Sequence, residues 1–204
     1  MLSVAVPITS LSESLSSLLA ATVAFAIGTS VVLRDRKRDQ FVLFAVFCFN
    51  LGLFHLARFF YGFAGHHPFG WSFGWFAQTI SLLLPWSADR SLSSFVPTVD
   101  HRGGGRIQTI TGFFLVIAQT VSLFFPGLER SPLWDVVPIV LTVYVMGGLL
   151  YAATRVWRAA RAAEGTASGP RLRYLFYATV IALALGNPFV PYVGPIVTAV
   201  YLYF

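Results

Sequence analysis

Asn50, His55, Arg58, Gln78 and Gln119 stand out because each is a polar side chain set deep inside an apolar run. A polar group facing hydrocarbon has no water to bond to, so each is expected to turn inward and find a partner. The uncharged members suit hydrogen bonds between helices, or the lining of a small ligand or lipid pocket. His55 and Arg58 are three residues apart and share one helix face. Arg58 lies about 9 Å from the expected outer boundary at ~1.5 Å of rise per residue, close enough to extend toward headgroups. Asp89, the nearest acidic residue, differs from it in depth by roughly 15–20 Å on the same rise. Asp89 is therefore not expected to pair with Arg58, and with Arg90 it is expected to mark the inner interface.

A neutral imidazole at membrane depth is a chemically competent axial ligand for haem or a pigment, and His55 is the candidate. A second histidine at matching depth is missing, since His66, His67 and His101 fall in links. No cofactor is predicted, and axial ligation through His55 is the one route left open. His66-His67 lack acidic or thiol company, so no metal site is predicted. Cys48 is the sole cysteine, which excludes an internal disulfide. Enzyme chemistry finds little to work with. Lys37, the only lysine, sits in a link, where no Schiff base would be buried. Asp89 has no second carboxylate to share a site with. Ser81 and Ser122 have no glycine-framed nucleophile motif around them. No catalytic residue is expected.

The elements that position these residues follow from hydropathy. Apolar residues make up 56% of the chain and charged residues 11%, against about 25% charged in soluble domains. Apolar runs near the ~20 residues a crossing needs occur at about 15–33, 41–64, 71–90, 107–128, 133–157 and 172–187. A further run at 195–204 spans roughly 14 Å as helix, too short for a core of about 30 Å. The chain is expected to continue beyond it. The expectation is a single all-α domain over 1–204: a polytopic transmembrane bundle of six full spans and a partial seventh.

The net charge of +6 is read as topology rather than nucleic-acid binding, because the basic residues lie between apolar runs. Links after the first, third and fifth runs hold Arg34, Arg36, Lys37, Arg38, Arg102, Arg106, Arg155, Arg158, Arg161, Arg171 and Arg173. The opposite links hold Arg130 alone. The bias places the N-terminus outside and suits a bacterial inner membrane.

Small residues recur at helical spacing: Ala20, Ala24 and Gly28, then Gly148 and Ala152, then Ala178, Ala182 and Gly186. Such faces let backbones approach closely, either within one bundle or against other membrane subunits or further copies of the chain.

Three stretches carry a resemblance. Arg34-Asp35-Arg36-Lys37-Arg38-Asp39-Gln40 runs straight into Phe41-Val42-Leu43-Phe44-Ala45-Val46-Phe47-Cys48. Pro170-Arg171-Leu172-Arg173-Tyr174-Leu175 opens the sixth run, and Val193-Gly194-Pro195-Ile196 leads to Tyr201-Leu202-Tyr203-Phe204. This layout resembles the multi-span N-terminal sensor regions of bacterial membrane histidine kinases. No phosphoacceptor or ATP-binding segment accompanies it, so no catalytic residue transfers. The resemblance implies a non-enzymatic sensory module, surrounded by membrane lipids, that relays a signal through its last helix. The alternative expectation is an accessory scaffolding subunit of a respiratory or photosynthetic complex.

Overall fold

A computed structural model describes residues 8–34, 37–64, 70–95, 104–124 and 136–166, then 169–170, 172–174, 176–177 and 180. These residues form helices and short turns, with no strand among them. The helices are α1 (Ile8–Arg34), α2 (Asp39–Ala64), α3 (Gly70–Ser94), α4 (Gly104–Phe124) and α5 (Val137–Ala162). Among the described residues three segments are long and apolar enough to cross a membrane: Ser14–Arg34, Asp39–Ala64 and Ile139–Ala162. Most of the run at 172–187, all of that at 195–204, and Ala178, Ala182 and Gly186 lie outside the described residues.

Helix ends differ from the hydropathy boundaries for a local reason. The α5 run loses hydropathy at its arginines, yet Ala159, Ala160 and Ala162 are strong helix formers that carry the helix on. Arg155, Arg158 and Arg161 are therefore helical, not link residues. Proline falls in the first turn of α5, where no backbone donor is needed. Beyond its C-terminus Gly165 adopts φ +85°, a conformation that favours glycine and turns the chain away. At the α1–α2 hairpin the Arg38 carbonyl accepts from the amides of Phe41 and Val42.

Neighbouring helices run antiparallel. Gly28 of α1 sits where an added Cβ would meet Cys48 Cβ of α2 at 3.1 Å, and Gly52 sits 2.9 Å from the Phe25 ring on the same measure. Ala20, Ala24 and Gly28 of α1 are all buried. Phe60 stacks on Phe73, and Phe44 meets Phe95 edge-on, which fixes α2 against α3. Ala24, Phe47, Cys48, Leu84 and Ala88 form the core they share. α3 also packs on α4 and on α5, running parallel to the latter.

Helix α4 is inside-out by the standard of a water-soluble protein. Among the described residues of α4, Gln108, Gly112 and Gln119 are buried. Its exposed side carries Ile107, Ile110, Phe113, Phe114, Ile117 and Phe124. Ser14, Ser17, His55, Ser87, Asp89, Ser91 and Arg155 are likewise buried. Polar groups inward and large apolar groups outward is the pattern a hydrocarbon solvent selects.

Candidate functional site

A polar seam runs along the contact of α3 with α4 and α5. At one end Gln119 Nε2 of α4 donates to Gln78 Oε1 of α3 at 2.7 Å. Trp75 Nε1 donates to the Gln119 backbone carbonyl at 2.9 Å. Midway, the Tyr144 hydroxyl of α5 donates to the Gln108 carbonyl of α4 at 3.1 Å. Gln108 Nε2 is buried without a hydrogen-bond partner. It lies 2.8 Å from where a Cβ on Gly148 would stand, and Pro85 Cβ lies 2.5 Å from the same point. Gly148 is what allows α5 to approach α3 and α4 this closely. Pro85 sits inside α3 and removes one backbone donor from it, which weakens that helix locally.

The seam ends in an ion pair. Arg155 Nη1 of α5 contacts Asp89 Oδ1 of α3 at 2.6 Å. Asp89 is 5% exposed and Arg155 8%, so both charges are out of reach of bulk solvent. Leu92, Ala152 and Val156 pack as a buried cluster at the same helix ends. The Arg155 guanidinium also lies 6.0 Å from the centre of the Tyr151 ring. Desolvating two charges is expensive, and attraction at this distance offsets it only while both partners stay in place.

The residues singled out by sequence are distributed differently from one another. Gln78 and Gln119 meet directly, although Gln78 is exposed and not interior as expected. Its carbonyl oxygen is satisfied by Gln119, so the side chain stays bonded without being enclosed. Asn50 is half-buried on α2. His55 is buried, its Nδ1 has no hydrogen-bond partner, and its ring meets Phe54 edge-on with centroids 5.3 Å apart. Arg58 is half-buried with its guanidinium 5.9 Å from the Phe54 ring centre. Gly148 packs against Pro85 of α3 and Ala152 against Leu92.

Asp89 differs most from expectation. It is a buried ion-pair partner, and its partner Arg155 lies within α5 and not in a link. A signal was present in the sequence: Arg155 lies three and four residues from Ala152 and Ala159, so it shares their small, inward face. Gln108, Gly112 and Gln119 similarly repeat at spacings of four and seven.

Among the described residues no group of three or more His, Cys, Asp or Glu side chains gathers to hold a metal. Comparison with protein-family models, with curated proteins and with solved structures gave no match.

Proposed function

We propose that the chain is a membrane sensory module in which the α3–α5 contact is the moving joint. The observation that carries this reading is the buried Asp89–Arg155 pair. In a lipid-solvated bundle an apolar contact would hold two helices at lower cost, so an ionised pair marks function before stability. Its setting supports a movable joint. Pro85 weakens α3 one turn before Asp89, and Gly148 leaves α5 a smooth surface there. The far end of α5 leads through Gly165 to Phe176, whose ring packs 4.8 Å from Trp157. A change in the angle between α3 and α5 thus reaches the next segment directly.

In this reading the chain has seven spans with the N-terminus outside, in a bacterial inner membrane. The inside-out surface of α4 supports membrane residence beyond the three most apolar helices. The antiparallel register supports one orientation, because it brings Arg34, Arg106, Arg158 and Arg161 to the same end. The resemblance to histidine-kinase sensor regions supplies the class of output.

The test is a fusion of the chain, through Phe204, to the cytoplasmic part of a membrane histidine kinase. Autophosphorylation in native membranes is then compared between the unaltered sequence and Asp89→Asn. A changed basal output at equal membrane abundance is expected. Equal output from both, with the chain instead co-purifying stoichiometrically with a respiratory or photosynthetic complex, would favour a scaffolding subunit.

A further inference from the structure

We infer that the basic end of the bundle binds an anionic phospholipid, its headgroup on Arg158 and Arg161 and its upper chain against the Trp157 aromatic cluster. This goes beyond the sensory reading and does not depend on it. Arg34, Arg90, Arg106, Arg158 and Arg161 are all exposed, and the helix register gathers them at one end. Among the described residues, acidic groups there do little to cancel them. Asp89 is buried against Arg155, Glu164 is bonded to Arg173, and Asp39 sits in the first turn of α2, where the helix dipole holds it. The surface therefore keeps a positive surplus.

Position and aromatic company select a lipid among anions. The Arg161 guanidinium lies 4.8 Å from the centre of the Trp157 ring. Trp157 in turn meets Phe176 at 4.8 Å and Tyr177 at 6.4 Å between ring centroids. Tyr177 is exposed in this cluster, Tyr174 is exposed three residues before it, and Leu150 and Val143 are exposed further along α5. Guanidinium groups above amphipathic rings above an apolar helix face match a phosphate, a glycerol level and an acyl chain in that order. Free phosphate uses only the first of these, and an acidic peptide has no use for the last.

The experiment uses the full chain in bilayer discs of phosphatidylcholine mixed with phosphatidylglycerol, extracted into mild detergent, with retained lipid counted by native mass spectrometry. Phosphatidylglycerol should be retained over phosphatidylcholine. The preference should fall as salt shortens the screening length from about 10 Å at 0.1 M to about 3 Å at 1 M. Arg158→Gln and Arg161→Gln should each lower it about five-fold, the effect of one surface cation near an anionic membrane. Equal retention of the two lipids, or a preference unmoved by salt, would overturn the proposal even if the variants fail to fold. Full displacement by inorganic phosphate would also overturn it, because the aromatic cluster would then have no part in binding.

Discussion

Replacing Asp89 by asparagine tests the structural core of the account, because it removes one charge while keeping size and an acceptor oxygen. Arg155 would be left as a buried cation facing a neutral amide where the carboxylate stood. Breaking a buried pair from one side costs about 3–5 kcal/mol, far above the ~0–1 kcal/mol of an exposed pair. The structure points to the lower part of that range. α5 runs on to Ala162, so Arg155 lies within about 10 Å of the helix end at ~1.5 Å per residue and its side chain can extend part of the way out. The expected loss is therefore about 3 kcal/mol. Arg155→Leu breaks the same pair from the other side and should also destabilise. The double variant Asp89→Leu/Arg155→Leu should be neutral or more stable by about 1–4 kcal/mol, because no charge is left to desolvate. Reversible unfolding in mixed micelles, run as a double-mutant cycle over Asp89→Leu, Arg155→Leu and their combination, measures the coupling. Single losses that simply add, with coupling under about 0.5 kcal/mol, would refute the reasoning.

Other outcomes follow from the packing. Gly148→Ala should destabilise by about 1–3 kcal/mol, since the new methyl meets Pro85 and Gln108. Gly147→Ala is its control: nothing lies within 4 Å of the added Cβ, so helix propensity should leave it neutral or up to about 1 kcal/mol more stable. Gly52→Leu should prevent α1 from seating on α2 through the Phe25 ring, which loss of a monodisperse species in size-exclusion chromatography would report. Gln119→Leu should lose about 0.6–1.7 kcal/mol of interhelical hydrogen bonding in the same micelle assay.

Much of the bundle was legible from hydropathy and spacing. Ala20, Ala24 and Gly28 identify the face of α1 that meets α2, because close backbone approach requires small side chains and lipid-facing positions do not. Gln78 and Gln119 were each legible as polar side chains at membrane depth; that they meet each other was not, because it depends on how α3 and α4 pack. The Asp89–Arg155 pair was not, because hydropathy locates an apolar run and says little about where the helix stops. Charge counting assigned Arg155 to a link, whereas its alanine neighbours keep it in α5 and turn it inward. Gln108 was missed for a related reason: it lies at the basic start of α4, where a polar residue attracts no notice. Its burial depends on Gly148, forty residues away, and no local pattern encodes that.

The central claim is that the Asp89–Arg155 pair sets the position of α5 relative to the rest of the bundle. It is tested most directly by the distance between spin labels on exposed cysteines replacing Gln40 of α2 and Ala162 of α5, in a Cys48→Ala background and in lipid discs. The account predicts a shifted or broadened distance distribution when Asp89→Asn is added, and a return toward the original in the charge-exchanged Asp89→Arg/Arg155→Asp variant. Identical distributions in all three would contradict it: the pair would then hold the bundle together without setting where α5 lies.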